Sequence, residues 1–358
     1  MSFANSSTKS TLDGFQPKFV ANDVIKVTNG TTAEDCTVSI DGSGNASITT
    51  GLTGAKTITV DPAGDVTLDT VTDGPDKRIC YVAVLPVTES IDLTFKSVTT
   101  TQTKYEDNTV SRTVTSTTLA KGTMYNAFIP YYIDLETAGK WGYCNVGAFL
   151  PEDYGYYFFW GGTEGYVFHG SWVKASAHTT VLSGGFNVAN TPHHTGSSET
   201  SGWTKYIPTD QSSFWSGTGN PDDKLVLDLE DDAAHANWGG TWRMPTNAEF
   251  KALLDATYWA WNSTDKGYYV YAPNPATDAG KVNSGTGTYD KSSALLFFPA
   301  AGYGDASLND AGSDGDYWSS SLFSSDPRNA YGVWFLSSFV TQNGTTRYHG
   351  RSVRPLSD

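Results

Sequence analysis

The stretch Trp238-Gly239-Gly240-Thr241-Trp242-Arg243-Met244-Pro245-Thr246, followed by Asn247-Ala248-Glu249-Phe250, decides the fold of the second half of this chain. Thr246 and Glu249 have the spacing of a capping box, in which the hydroxyl and the carboxylate each satisfy a free backbone N–H at the start of a helix. Pro245 fixes the backbone ahead of that helix. The apolar residues that follow share one helical face: Phe250, Leu253 and Leu254.

A shorter helix is predicted immediately before this stretch, within Asp231–Gly240. An aspartate caps its start, and Gly239 ends it. His235 falls inside this helix and is expected to pack in the core or to form a hydrogen bond there. Everything after Ala294 has the pattern of short strands and glycine-rich turns.

Three C-terminal segments complete the pattern: Tyr317–Ser321, Arg347–Gly350 and Arg351–Pro355. Together with residues 238–250 they resemble the WRLPTEAEWE signature of the C-type-lectin fold in its formylglycine-generating-enzyme branch. Similar segments occur in surface proteins of gut Bacteroidetes and in variable proteins diversified by retroelements. The resemblance implies an α+β C-type lectin fold over residues 140–358 and a ligand-binding role for this domain.

Residues 1–131 differ in composition, because they are rich in Thr, Val, Asp and Gly and contain none of the 11 tryptophans. Short alternating runs indicate strands here: Val24–Val27, Thr57–Val60, Tyr81–Val84 and Ile91–Phe95. Turn signals separate such runs at intervals of about ten residues, which predicts an antiparallel β-sandwich over residues 1–131. Residues 132–140 are then the junction between the two domains.

Three segments of this first half resemble the N-terminal β-domain of fimbrillins, the pilins of Bacteroidetes: Phe19–Ile25, Tyr81–Pro86 and Lys121–Asn126. A lectin-like domain in the usual place of the second pilin domain is similar to tip pilins. Fimbrillins donate a C-terminal strand to a neighbouring subunit, and the resemblance places Ser352–Leu356 inside the lectin-like sheet. It implies that this chain accepts a strand from a neighbouring pilin subunit through its N-terminal domain but donates none.

Charge and composition exclude several classes of partner and location. The formal net charge of −15 repels nucleic acid, which is therefore not expected as a partner. No run approaches the ~20 apolar residues that span a membrane. The acidic composition, rich in Thr, Ser and Gly, favours a protein exported to the cell surface whose signal segment has been removed. Three cysteines are too few for a disulfide framework, so a Cys36–Cys80 bridge and three buried thiols, with Cys144, both stay open.

We expect no enzymatic activity and no cofactor. Formylglycine-generating enzymes need reactive cysteines near the C-terminus, and no cysteine follows Cys144. The sequence also lacks a GxSxG elbow, paired catalytic carboxylates and a phosphate-binding loop. A hydrolase or an oxidase is therefore the least favoured class.

No metal site is predicted, although one alternative stays open. The tripeptides that calcium-dependent lectins use are absent, and His193-His194 lies in a loop without a third ligand at a suitable spacing. The acidic runs Asp222-Asp223 and Asp228–Asp232 are expected to cap helices or to face solvent. The run Asp310–Asp316 could bind a cation instead.

The segment between Tyr317-Trp318 and Arg351–Pro355 has the composition of a binding surface, with aromatic anchors inside a polar rim. Alternation along residues 331–336 buries the odd-numbered side chains and exposes Gly332, Trp334 and Leu336. The alternative is that these apolar residues fill a second core. The predicted binding face consists of Asp316, Leu322, Phe323, Ser325, Asp326, Arg328, Gly332, Trp334, Leu336, Phe339, Asn343, Thr345 and His349.

The expected function is that of a cell-surface adhesin, a tip-type pilin of a fimbrium that is monomeric in isolation. Its ligand is expected to be a protein or a glycan on another cell, or on a phage or host surface. In retroelement-diversified proteins the predicted face is the variable region, and the resemblance leaves diversification open. The alternative function is a phage receptor-binding or host-attachment protein on the same fold, which would trimerise through its N-terminal part.

Overall fold

The computed structural model describes residues 130, 132–272, 278, 280–283 and 290–358, together with the backbone of eight strands nearer the N-terminus. The chain forms two compact units, Met1–Tyr131 and Tyr132–Asp358. The described residues of both units form mostly β-strands in small, chiefly antiparallel sheets, with few helices.

The strands of the first unit form small sheets. Their bounds are β1 (Thr11–Asp13), β2 (Gln16–Lys18), β3 (Val24–Thr28), β4 (Ala33–Ile40), β5 (Ala46–Ile48), β6 (Ile58–Val60), β7 (Ile91–Ser97) and β8 (Val110–Thr117). β3, β4 and β5 pair antiparallel, as do β1 with β2 and β7 with β8. The run Tyr81–Val84, Cys80 and the side chain of Cys36 lie outside the described residues.

The expectation of an antiparallel arrangement is wrong at one pair of strands, because β6 pairs with β7 in parallel. A parallel pair needs a crossover connection of about a dozen residues or more. Residues 61–90 separate β6 from β7, so the connection is long enough. The alternating sequence predicted the strands but carried no information about their relative direction.

The second unit contains the remaining elements. They are β9 (Tyr132–Asp134), β10 (Lys140–Gly142), β11 (Tyr166–Phe168), β12 (Trp172–Lys174), α1 (Ala233–Trp238), β13 (Trp242–Arg243), α2 (Asn247–Ala256), β14 (Tyr258–Asn262), β15 (Gly267–Tyr271), β16 (Leu296–Pro299), β17 (Tyr303–Gly304), β18 (Leu308–Asn309), β19 (Gly315–Leu322), β20 (Asn329–Leu336), β21 (Phe339–Thr346) and β22 (Leu356–Ser357). Larger sheets have the orders β13-β22-β10-β9, β14-β15-β16 and β19-β20-β21, and β11-β12 and β17-β18 are hairpins.

The four-stranded sheet joins the two ends of the second unit. β22 lies between β13 and β10, so it is held in the interior of this sheet. The expected junction at 132–140 is wrong, because these residues supply β9 and the start of β10. Ile133 and Trp141 are 1% and 0% exposed, and burial of these two side chains fixes the segment to the sheet.

Both predicted helices are confirmed. α1 begins after Asp232, whose carboxylate accepts a hydrogen bond from the His235 backbone N–H at 2.9 Å, and it ends at Gly239 with φ of 69°. The capping box of α2 is complete, because the Thr246 hydroxyl accepts from Glu249 N at 3.2 Å while the Glu249 carboxylate accepts from Thr246 N at 2.7 Å. His235 Nδ1 lies 3.1 Å from the Trp242 carbonyl oxygen, as the expected hydrogen bond requires.

The residues predicted to anchor the domain form a buried frame, which consists of Tyr317, Trp318 and Arg351–Pro355. Tyr317 and Trp318 are fully buried, and so are the five residues of the C-terminal segment. The Arg354 guanidinium donates to the Phe297 carbonyl oxygen at 2.7 Å and to Asn145 Oδ1 at 2.9 Å. These contacts satisfy a charge that burial would otherwise penalise.

Candidate binding face of the second unit

The candidate site lies on the sheet β19-β20-β21. Directly opposed residues of antiparallel strands point to the same side of a sheet, and side chains alternate along each strand. Trp334 opposes Asp316 on one neighbouring strand and Thr341 on the other. The side of the sheet that carries Trp334 is called the outer face below.

The outer face brings together seven of the predicted site residues. Cross-strand pairs join Gly332 with Asn343, Leu336 with Phe339, and Ala330 with Thr345. The predicted residues on this face are Asp316, Gly332, Trp334, Leu336, Phe339, Asn343 and Thr345. Thr341, which the sequence analysis missed, opposes Trp334 at the centre of the face.

Aromatic and polar side chains share the solvent-facing part of the outer face. Thr341 and Asn343 are exposed, while Trp334, Leu336 and Phe339 are half-buried. The Trp334 and Phe339 rings meet edge to face with their centroids 4.8 Å apart. Trp334 Nε1 donates a long hydrogen bond to Asp314 Oδ2 at 3.4 Å. Large rings with nearby hydroxyl and amide groups are typical of interface anchors.

An ion pair lies beneath this surface. Arg351 Nη2 lies 2.8 Å from Asp316 Oδ1, and both side chains are almost completely buried. The guanidinium also lies 5.0 Å from the centre of the Trp318 ring. Burial raises the pKa of the Asp316 carboxyl to about 6, although the charge of Arg351 acts in the opposite direction. The pair therefore belongs to the floor of the face and is not a contact surface.

Three predicted site residues are buried, and their expected exposure is wrong. Asp316 is 2% exposed because it pairs with Arg351, and Leu322 is 3% exposed because it packs in the core beside Trp318. Gly332 is buried because the Arg351 side chain lies next to it on the outer side of the sheet. A Cβ added to Gly332 would lie 3.3 Å from Arg351 Nη1. The alternation of residues 331–336 is also wrong at Tyr331, which is half-buried.

Phe323 lies away from the outer face. Its ring packs against Tyr331 at 4.8 Å and lies next to Gly344, and both of these residues point to the opposite side of the sheet. The chain has a β-bulge between Trp318 and Leu322, and this irregularity shifts the register before Phe323. Four positions along β19 correspond to two along β20 here, so the sides still alternate as counted from Trp318, and Phe323 falls on the side opposite the outer face.

The turn between β19 and β20 carries three further predicted residues. Arg328 forms a bidentate contact with Asp326, with Nε and Nη2 2.8 Å and 2.7 Å from the two carboxylate oxygens. This pair stiffens the turn, and the Arg328 guanidinium also lies 5.9 Å from the Phe214 ring. Ser325 is exposed and faces a cleft next to Leu225. The structure therefore does not group Ser325 with Trp334.

His349, the last predicted residue, lies beside Tyr303. The two rings are 5.2 Å apart, and burial together with the charge of Arg351 lowers the pKa of His349 to about 4. The imidazole is therefore neutral near pH 7. The sequence did not single out Tyr303, because this residue lies in β17, which comes before the predicted segment and is separated from it by β18.

The acidic runs do not leave an open metal site. Within the described residues, Asp228, Glu230 and Asp231 are the one group of potential ligands whose atoms converge within 4.8 Å. Lys205 Nζ occupies this acidic cluster, at 3.0, 2.7 and 2.6 Å from the three carboxylates. The ammonium group thus takes the position that a cation would need. Among the described residues, the carboxylates of Asp310–Asp316 do not converge in this way.

The paired histidines stabilise the chain locally. His194 Nε2 lies 3.0 Å and 2.9 Å from the carbonyl oxygens of Ser198 and Ser201, which closes a turn. His193 Nε2 lies 3.1 Å from Asp231 Oδ1, and burial lowers the pKa of His193. Both contacts fit the predicted role in a loop.

Cys144 is free and buried. Its Sγ donates to the Ala148 carbonyl oxygen at 3.3 Å, and burial raises the pKa of the thiol to about 12. A thiol in this environment stays protonated at neutral pH, so it is a poor nucleophile.

Comparison of the chain with protein-family models, with curated proteins and with solved structures gives no match. Within the residues that the structure describes, no helix has both the length and the apolar composition to cross a membrane.

Proposed function

We propose that this chain is an exported cell-surface adhesin, a tip-type pilin whose second unit is a C-type-lectin-like domain that binds a protein or a glycan. The observation that carries the proposal is the outer face. Trp334, Leu336 and Phe339 lie together there beside two exposed polar side chains. Clustered aromatic residues within a polar rim are what ligand-binding surfaces use.

The contrast between face and frame supports a binding role. The buried frame packs at 0–5% exposure in Tyr317, Trp318, Arg351 and Arg354, so these side chains stabilise the sheet from a position that solvent and ligand do not reach. A surface supported in this way tolerates changes in its exposed side chains without loss of the fold. Such tolerance is what a diversified or rapidly evolving recognition surface requires.

The pairing of β22 supports a chain that does not donate this strand to a neighbour. A subunit that donates a strand needs that strand to be free for pairing with a neighbour. Here Leu356 pairs with Trp141 on one side and with Arg243 on the other. We infer that a neighbouring subunit joins through the first unit, which has a fimbrillin-like sequence.

The test is a binding screen of the full chain against glycan and protein arrays, followed by affinity measurements on the strongest hit. Trp334→Ala and Phe339→Ala are each expected to weaken binding by about 1–3 kcal/mol. Phe149→Ala is the matched control, because Phe149 is 58% exposed and lies outside this sheet. Equal affinities for all three variants would refute the proposed face.

The mass in solution separates the two adhesion proposals. A tip pilin is expected to be a monomer in light scattering after size exclusion, whereas a phage attachment protein on this fold is expected to be a trimer. A trimer would replace the pilin proposal with the phage one and leave the role of the outer face intact.

A further inference from the structure

A second open surface lies beside the turn that follows β19. The segment Leu225–Leu227 pairs with the end of β19, because Leu227 N donates to the Ser320 carbonyl oxygen at 2.9 Å and Leu322 N donates to the Leu225 carbonyl oxygen at 2.8 Å. Val226 is the bridging residue opposite Ser321. This segment therefore extends the sheet β19-β20-β21 by one short edge strand.

The backbone of Val226 is free to pair with another strand. In an antiparallel bridge whose flanking residues form the hydrogen bonds, the central residue directs its own N–H and C=O away from the partner strand. Within the described residues, no backbone group bonds to Val226. A free edge of this kind is a template for an added strand.

The side chains on this edge are apolar and exposed. Leu225, Val226 and Leu229 are 47%, 45% and 53% exposed, and they account for three of the five large exposed hydrophobic side chains of the described residues. Edge strands are usually blocked by a charge, a proline or a bulge. Lys224, which precedes this segment in the sequence, forms an ion pair with Asp228 at 2.5 Å.

A cleft of about 540 Å³ lies next to Leu225, and its charge selects the ligand. Asp210 and Asp223 line it together with Ser324 and Ser325, and no lysine or arginine does. Asp210 and Asp223 are both exposed. A basic side chain entering the cleft therefore meets two carboxylates without a competing cation, in a chain whose net charge is −15.

We propose that Leu225–Leu227 and the adjoining cleft are a docking site for an extended segment of a partner protein that carries apolar residues and a basic residue. The segment pairs with the outward N–H and C=O of Val226, and its basic side chain lies between Asp210 and Asp223. This site is separate from the outer face. It also gives Ser325, which the structure does not group with Trp334, a place in a binding surface.

The test uses the full chain and an acetylated, amidated pentapeptide of sequence Thr-Val-Lys-Val-Thr as the probe. In the free protein the Val226 amide is expected to exchange hydrogen as fast as an exposed amide, whereas the amides of Leu227 and Leu322 are protected. At about ninety per cent occupancy, exchange at Val226 should slow roughly tenfold, because only the unbound fraction exchanges. Replacing the lysine of the peptide by glutamate should weaken binding by about fivefold or more.

Two controls distinguish strand pairing from nonspecific hydrophobic binding. Val226→Pro removes the outward N–H without removing a bond of the fold, and Val226→Thr keeps that N–H. We expect Val226→Pro to abolish binding and Val226→Thr to retain it, with protection at Leu227 reporting that both variants are folded. A peptide methylated on alternate amide nitrogens tests the same point on the unaltered protein and should not bind.

Absence of saturable binding at millimolar peptide would overturn the proposal. Equal binding of the methylated peptide, or equal binding by a folded Val226→Pro variant, would overturn it as well. Trp334→Ala should leave peptide binding unchanged, so failure here is distinguishable from failure of the adhesion face.

Discussion

Substituting alanine for Trp318 and, separately, for Trp334 distinguishes the buried frame from the outer face. Both residues lie on the same side of the sheet, and they differ in their surroundings. Trp318 is 0% exposed, whereas Trp334 is half-buried at the solvent side. The pair thus compares two identical truncations within one sheet.

The cost of truncation at Trp318 follows from its contacts. Removing a fully buried tryptophan costs about 3–5 kcal/mol. The Arg351 guanidinium, 5.0 Å from the ring centre, also loses a desolvated cation–π contact of up to about 2 kcal/mol. The hydrogen bond from Trp318 Nε1 to the Phe158 carbonyl oxygen adds little, because that oxygen also accepts from Arg351 N at 3.0 Å. We expect a loss near the upper end of 3–5 kcal/mol.

Truncation at Trp334 should cost far less. The edge-to-face contact with Phe339 is the main interaction lost, and such a contact is worth about 0.5–1.5 kcal/mol. The contact from Nε1 to Asp314 is 3.4 Å long and therefore weak. The two variants should differ by about 3 kcal/mol in the free energy of unfolding, or more than about 1 M in the urea midpoint.

Urea denaturation followed by circular dichroism measures both variants, and the transition of the second unit is the one compared. An equal loss of stability in the two variants would show that Trp334 belongs to the core. The interpretation of the outer face as a ligand surface would then be wrong, whatever the arrays report.

Further outcomes test the floor of the face and the acidic cluster. Gly332→Ala should destabilise the chain by about 1–3 kcal/mol, because the added Cβ would lie 2.3 Å from the Tyr317 carbonyl oxygen. Asn343 is exposed and lies opposite Gly332 on β21, so Asn343→Ala should have little effect in the same urea titration. Lys205→Ala should leave the acidic cluster open to a cation. Excess Ca²⁺ should then raise the thermal midpoint of this variant by roughly 3–5 °C and leave that of the parent chain unchanged. No response to Ca²⁺ would show that the three carboxylates move apart in the variant. Burial raises the pKa of Asp316 to about 6, so the folded state binds this proton more tightly than the unfolded state does. The protonated carboxyl therefore adds to the free energy of unfolding at low pH. That contribution is lost as pH rises from the ordinary Asp pKa through about 6. Asp316→Asn should remove that slope, and an unchanged slope in unfolding free energy between pH 4 and pH 7 would refute the assignment.

Local patterns in the sequence predicted the local structure well. The capping box at Thr246 and Glu249 needs only residues three apart, so its signal is complete within one helical turn. The same holds for Asp232 at the start of α1 and for Gly239 at its end. The burial of Tyr317 and Trp318 was also predictable, because large aromatic residues between polar neighbours indicate a core strand.

Contacts across the sheet were not predictable in this way. Gly332 was expected on the surface because alternation treats a strand as if nothing lay above it. Arg351 lies above it, and 19 positions along the chain separate the two residues. Phe323 was misplaced because it was grouped with the outer side chains by its place in the segment, whereas it follows Leu322, which opposes Ala330 on the outer side, and so points to the other side. The acidic cluster likewise depends on Lys205, which is remote in sequence from its carboxylate partners.

The floor of the outer face separates side chains that stabilise the sheet from side chains that reach solvent. Arg351 and Asp316 neutralise each other beneath the face, and Gly332 supplies the space that the guanidinium needs. A Cβ at 332 would lie 2.3 Å from the Tyr317 carbonyl oxygen and 3.3 Å from Arg351 Nη1, so it would crowd both β19 and the guanidinium. Trp334, Thr341 and Asn343 lie beyond this floor and reach solvent. We therefore expect substitutions at these three positions to affect the proposed ligand binding, and substitutions at Gly332 and Asp316 to affect the stability of the sheet.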